Sequence, residues 1–429
     1  MFILKIKSIT IQNYKGFQNF TADFHDELTV IVGNNGAGKS SLLDAVSIAL
    51  GTFLTEFRQG TSISKEDVLL KAFDMGSVVD LQPQFPVVIS AEGSVNAQEV
   101  KWQRELNSID GRTTVTNARE MTQISADYSK AVMEGNTTKI LPLLSYYGPG
   151  RLWAQKKEKR SNDLVKFTRQ MGYLDCLAAE SNEKLMKKWF EKMTLQEGQN
   201  GTLSPEFSAV RQAISLCFAG ITGYADVQTR FNLDTHSIDI QYTDTNGKKM
   251  RFPTEALSDG YKNTLSMIAD IAYRMAVLNP FLLDTVLEET PGVVLIDEVD
   301  LHLHPLWQQR ILKDLQQIFP KVQFIVTTHA PSVIHSVKKE NLLILADNVA
   351  AYPPVCETYG SDVNEILESV MGANKRLPEV QNLFQTFYNA MDHEEYTEAK
   401  EILAQLENIV GPNDSEYVSA LVSLDLAEL

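Results

Sequence analysis

Gly33-Asn34-Asn35-Gly36-Ala37-Gly38-Lys39-Ser40 is the stretch on which the fold turns. Residues 28–32 before it alternate like a strand, and Ser41–Leu50 after it has the composition of a helix. A glycine-rich turn between strand and helix presents several backbone N–H groups at a positive helix end, which suits a polyphosphate. Lys39 would then pair with the β and γ phosphates and the Ser40 hydroxyl would ligate Mg²⁺, with Ser41 completing the nucleotide-binding set. The bland alternative is a chance glycine-rich loop. Eight positions in the right strand–loop–helix setting argue against it, so the expectation is an α/β nucleotide-binding fold.

Three further segments fit around that loop. Val293-Val294-Leu295-Ile296-Asp297-Glu298 is an apolar strand with an acidic end. Asp297 stands where a carboxylate holds Mg²⁺, and Glu298 beside it can act as a general base on water. Alone, the pair would read as two surface carboxylates after a buried strand. His329, in Thr327-Thr328-His329-Ala330-Pro331, follows the next apolar strand and would come near the γ-phosphate. The last segment is Leu257-Ser258-Asp259-Gly260-Tyr261, a weak string by itself. After a phosphate loop and before an acidic strand end, it reads as an element that closes the site of a second subunit.

His302 and His304 alternate before Pro305. A His-x-His pair can chelate Zn²⁺. With no third and fourth ligand nearby, a packed turn at a dimer interface is the better reading.

Bulk properties set the class. The 429 residues carry 39 basic and 55 acidic side chains, a formal charge of −16, with 44% hydrophobic content. So acidic a surface does not favour direct contact with phosphate backbones over its whole extent. A local patch such as Lys156-Lys157-Glu158-Lys159-Arg160 is better explained as a solvated face. There is no signal-peptide pattern and no apolar run of about 18 residues. Cys176, Cys217 and Cys356 are widely spaced and suit reduced thiols. The expected address is the cytoplasm.

Along the chain, residues 3–11 read as a strand, and Pro86–Ser90, Glu99–Leu106 and Thr113–Thr116 as short strands with a hairpin at Asp110-Gly111. A polar helix is expected over 117–135, a strand over Ile140–Tyr147 and a hairpin at Asn246-Gly247. A helix should run from the Ser258 segment to Pro280 and another over about 306–318, with a strand at Asn341–Leu345. The tail shows two apolar helical stripes, at Val380–Met391 and Ala399–Val410, and a last helix capped by Asn413 or Ser415.

Together these residues resemble the ATP-binding cassette superfamily, in its soluble branch of structural-maintenance, recombination-repair and overcoming-lysogenization ATPases. Ile11-Gln12-Asn13-Tyr14-Lys15-Gly16-Phe17 is similar to that branch's opening strand, and Asp300 with His302–Pro305 to its Asp-x-His-Leu-His-Pro continuation. The resemblance implies that Leu257–Tyr261 is the signature acting in trans on the partner's γ-phosphate. It also implies a glutamine loop near Tyr146–Arg151, where no Gln stands and Gln155 is nearest. A narrower likeness lies in Ser145–Trp153, Tyr173–Leu177 and Tyr359–Leu367. These resemble the anti-phage ATPases of Septu and related retron systems, in which the ATPase pairs with a separate His-Asn-His nuclease.

The expected architecture is a P-loop NTPase of ATP-binding cassette type. Its head spans 1–350, with a strand-rich insertion at about 53–147 and a helical lobe at about 151–225. A helical region follows over 355–429, whose stripes either cap the head or bind a partner. No sustained heptads fill the roughly two hundred residues between Ser40 and Ser258, so long coiled-coil arms are not expected.

The function expected is a Mg²⁺-dependent ATPase, with ATP and Mg²⁺ as ligands, forming a head-to-head dimer. It would regulate a nuclease encoded nearby, carry no nuclease site of its own, meet nucleic acid only indirectly and span no membrane. The rivals are a repair ATPase that binds DNA directly and an ATP-binding scaffold with negligible turnover.

Overall fold

A strand that is apolar on both faces must be covered on both sides, and three of them set the centre here. Leu28–Val32, Gly292–Ile296 and Val322–Thr327 are buried at every position. They lie in a six-stranded sheet ordered Ala350–Tyr352, Leu342–Ala346, Leu28–Val32, Val322–Thr327, Gly292–Ile296, Leu143–Tyr147. All neighbours are parallel except the Ala350–Tyr352 edge. The structure is a computed structural model and describes residues 4–76, 78–152, 168–178 and 183–427.

A second, antiparallel sheet runs Phe17–Asp23, Leu4–Tyr14, Val87–Val95, Gln98–Leu106. Helix Lys39–Leu50 packs against strands of both sheets, so the chain leaving the phosphate loop is held from two sides. Its buried face carries Leu42, Leu43, Val46, Ile48 and Leu50. The buried Trp102 ties the far sheet to the helix end, donating its Nε1–H to the Ala49 carbonyl at 2.9 Å. The fold is therefore α/β and of cassette type, with an all-antiparallel sheet beside a mainly parallel one.

Val87–Val95 pairs with the opening strand from Leu4↔Val95 to Gln12↔Val88. The strand-rich stretch 53–147 is thus not a body of its own. Part of it completes the sheet that the N-terminus starts, and Leu143–Tyr147 edges the central sheet. The hairpin expected at Asp110-Gly111 is instead at Asn96-Ala97, where both residues take positive φ (50 and 64). Thr113–Thr116 makes only one bridge, Thr114 to Glu105. One exposed hairpin, Leu70–Asp74 with Val79–Pro83, stands apart.

Helices Glu183–Asn200, Pro205–Thr222 and Asp259–Leu278 pack together, with the three-stranded sheet of Ala225–Asn232, Ser237–Thr243 and Lys249–Pro253 beside them. The Asn246-Gly247 hairpin is present. The helix expected over 306–318 is two pieces, Pro305–Gln308 and Ile311–Ile318. The basic run 156–160, Trp153 and Gln155 lie outside the described residues.

The chain divides into two compact units, 1–361 and 362–429. The second has its own core, in which Phe384 and Phe387 meet Ile402, Leu403, Leu406, Tyr417 and Leu424. Its last helix is capped by Asp414, whose Oδ1 accepts the Glu416 and Tyr417 N–H groups at 3.1 Å, and not by Asn413 or Ser415. The Arg376 guanidinium selects that residue, donating to the same Asp414 Oδ1 at 2.7 Å and to Glu416 at 2.8 Å.

Candidate nucleotide site

Parallel strands leave their C-terminal ends on one edge of a sheet, and loops from distant sequence meet there. The loop after Leu28–Val32, Asp297 and Glu298 after Gly292–Ile296, and His329 after Val322–Thr327 meet in this way. They line one cavity of about 350 Å³, together with Gly16 and Asn348. From the loop itself, Asn35, Gly36, Gly38, Lys39, Ser40 and Ser41 face that space.

The loop is shaped by Gly36 and Gly38, at φ 83 and 95, a region that a side chain would strain. Gly38 is also the N-cap of helix Lys39–Leu50 and offers no side chain to its first N–H groups. That open positive end is what an anion needs. Lys39 is buried, and its Nζ donates to the carbonyls of Gly33 at 2.8 Å and Asn34 at 2.9 Å. Burial pulls its pKa down, while the carboxylates of Asp297, Glu298 and Asp300 act against that shift. A cation resting on two carbonyls inside a glycine loop is suited to exchange them for phosphate oxygens. The donor set fits a triphosphate, and Ser40 with Asp297 is a hard-oxygen pair suited to Mg²⁺.

The threonine that opens the His329 segment organises the acidic end. Thr327, fully buried, donates its Oγ1–H to Asp297 Oδ1 at 2.5 Å. The same Oγ1 accepts the Glu298 N–H at 2.8 Å. Glu298 has φ 51, left-handed for a residue with a side chain. Such strain persists only where surroundings impose it, and it concentrates at functional sites. Burial lowers the His329 pKa below 6.5 and Lys39 adds to that, against the pull of Asp300, Glu298 and Asp297. Its surroundings therefore favour the neutral imidazole.

Leu257–Tyr261 does not line this cavity. Ser258 is exposed and caps helix Asp259–Leu278 without a side-chain bond, so the helix end opens to solvent. Gly260 packs on the His302 carbonyl, and the Tyr261 ring lies 4.2 Å from that of Trp307. His304 Nδ1 accepts the Leu306 N–H at 3.3 Å, and His302 sits at φ 62. Both histidines thus belong to a shaped turn packed under Leu257–Tyr261.

Near the expected glutamine loop, two tyrosines reach in opposite directions. Tyr146 donates to Asp44 Oδ1 on helix Lys39–Leu50 at 2.8 Å, and Tyr147 to Asp270 Oδ2 on helix Asp259–Leu278 at 2.8 Å. Arg274 binds the same Asp270 oxygen at 2.7 Å. Sequence reasoning missed Thr327, Gly16 and Asn348. Thr327 stood in the His329 segment, 29 residues from Glu298 in sequence, and nothing in the sequence brought it to the acidic pair or residue 348 to residue 36.

The chain is similar to several known proteins. A family model described as "AAA domain" matches residues 8–219. The chain is 27% identical to the retron Ec83 probable ATPase of Escherichia coli, over 98% of this chain and 87% of that one. It is 25% identical to the Septu protein PtuA of Bacillus thuringiensis, over 99% of this chain and 98% of that one. The likeness read from Ser145–Trp153, Tyr173–Leu177 and Tyr359–Leu367 is therefore borne out, and it extends over nearly the whole length. Among solved structures, the SMC head domain from Thermotoga maritima aligns over 81% of this chain and 98% of its own, at 17% identity and a TM-score of 0.44. No helix among the described residues is long and apolar enough to cross a membrane.

Proposed function

We propose that this chain is a Mg²⁺-dependent ATPase that works as a head-to-head homodimer and regulates a partner His-Asn-His nuclease in anti-phage defence. The observation that carries the reading is the single cavity in which Lys39, Ser40, Asp297, Glu298 and His329 converge from three loops. The names of the full-length relatives, a retron probable ATPase and a Septu protein, support it.

ATP with Mg²⁺ would supply a γ-phosphoryl group open to in-line attack by water, with charge spread over its oxygens. The chain's own groups then have separable tasks. Lys39 gives up the Gly33 and Asn34 carbonyls to pair with phosphate. Ser40 and Asp297 would hold the metal, with Thr327 fixing the Asp297 carboxylate. Glu298, held in its strained conformation by the same Thr327, accepts the proton of water. His329 would orient that water or the γ-phosphate by a hydrogen bond.

Ser258 and the uncapped start of the signature helix lie outside the chain's own cavity, which supports their acting on a second subunit. A helix N-terminus attracts anions, so it would meet the partner's γ-phosphate favourably. Two such exchanges give a C2 dimer, each subunit lending a loop to one site and a signature to the other. Nucleotide would then control dimer closure and, through it, the nuclease.

The test is Glu298→Gln. We expect it to retain ATP and to release no phosphate above background. Normal turnover by that variant, or no ATP binding by the unaltered chain, overturns the assignment.

A further inference from the structure

Asn348 belongs to none of the motifs and yet stands in the wall of the nucleotide cavity. It lies in the turn between Leu342–Ala346 and Ala350–Tyr352, at the edge of the central sheet. The turn is closed by the Val349 N–H donating to the Ala346 carbonyl at 2.9 Å. Asp347 and Asn348 both take positive φ, 40 and 61. Two successive left-handed residues make a primed turn, and Asn is among the few side chains that tolerate it.

The turn points Asn348 at the crest of the phosphate loop. Its backbone N–H donates to the Ala37 carbonyl at 3.3 Å, and its Nδ2 to the Gly36 carbonyl at 3.4 Å. Its carboxamide also fills a slot that two glycines leave. A Cβ on Gly16 would sit 2.9, 2.9 and 3.0 Å from the Cγ, Nδ2 and Oδ1 of Asn348. Three nearly equal distances mean that the amide lies flat against Gly16. A Cβ on Gly38 would fall 2.0 Å from Asn348 Oδ1. The amide is therefore clamped between the opening hairpin and the phosphate loop, and a side chain on either glycine would expel it.

We propose that Asn348 is a positioning residue for nucleotide. It latches the Gly36–Gly38 crest in its phosphate-binding form from 312 residues downstream. Engaging the Gly36 and Ala37 carbonyls from outside keeps the crest from turning over, so the loop is set before nucleotide arrives. Preorganisation of this kind appears as binding affinity. The proposal rests on the nucleotide-site reading only for what the latch serves, because the latch itself belongs to the chain without nucleotide.

The variants separate latch from fold. Asn348→Gly keeps the left-handed turn, which glycine adopts freely, and removes only the carboxamide. We expect ATP binding, read by calorimetry, to weaken about two- to tenfold, the worth of a single hydrogen bond. Amide exchange over residues 33–40 of the nucleotide-free protein should quicken while the rest of the chain is unchanged. Asn348→Asp cannot donate to the Gly36 carbonyl and brings a negative charge to the phosphates, so it should lose more than Asn348→Gly, and most at low salt. Gly16, whose φ is not positive, should tolerate Ala except for the clash with Asn348. Gly16→Ala alone should therefore weaken binding, and in an Asn348→Gly background it should cost nothing further.

Unchanged exchange over 33–40 in Asn348→Gly overturns the proposal, as does additivity of the two substitutions. A loss of affinity accompanied by faster exchange throughout the chain overturns it too, since that marks a role in the fold alone. If the unaltered protein binds no ATP, the nucleotide reading fails while the exchange result still decides the latch.

Discussion

Thr327→Val tests how the acidic end of the site is built. Valine matches threonine in shape, so the fully buried position stays filled, while the hydroxyl that serves two neighbours is lost. The Glu298 N–H loses its acceptor at 2.8 Å, and the Asp297 carboxylate loses a donor at 2.5 Å. A hydrogen bond to a charged group contributes about 1.5–3 kcal/mol, against about 1 kcal/mol for a neutral one. If the Asp297 bond and the strained Glu298 geometry serve the transition state, 1.5–3 kcal/mol corresponds to a fall in kcat of about ten- to 150-fold. Folding stability should fall by about 1–3 kcal/mol, mostly from the orphaned N–H. Steady-state phosphate release at saturating ATP, with a urea titration of each variant, measures both. Thr327→Ser keeps the hydroxyl and should recover most of the rate. A Thr327→Val protein that turns over at the unaltered rate would refute the claim that this hydroxyl holds Glu298 in place.

Two further outcomes follow from the same geometry. In the nucleotide-free protein, an NMR titration should place the His329 midpoint below 6.5, and Lys39→Ala should raise it, because Lys39 disfavours the imidazolium. Since the folded-state pKa is the lower one, the His329 contribution to stability is present above pH 6.5 and is lost as pH falls through the folded value. Gly260→Ala would place a Cβ 2.3 Å from the His302 carbonyl oxygen, a backbone atom that cannot swing aside. It should lower stability by about 1–3 kcal/mol and suppress ATP-driven association, while leaving the affinity of the Gly33–Ser40 loop for nucleotide unchanged in a binding titration.

The loop, the acidic pair and His329 were legible because each chemistry needs a fixed residue type at a strand end, and strand ends announce themselves by apolar runs. What was hidden depends on long-range pairing or unusual backbone. Val87–Val95 looks like one strand of a local hairpin, yet half of its bonds go to Leu4–Tyr14, which no local pattern encodes. The Asn96-Ala97 turn was passed over for Asp110-Gly111 because alanine rarely takes φ 64. Asp414 was missed as a cap because its choice over Asn413 is made by Arg376, a residue before the preceding two helices. Asn348 was invisible for the same reason, its partners being more than three hundred residues away.

The composite site is tested most directly by mixing two inactive chains. Lys39→Ala cannot bind phosphate in its own loop, and Ser258→Arg cannot complete its partner's site. In a mixed dimer, one site combines an intact Lys39 loop with an intact Ser258 signature. Each variant alone should release no phosphate above background, and the mixture should regain ATP hydrolysis. A mixture no more active than its components would contradict a site shared between two subunits.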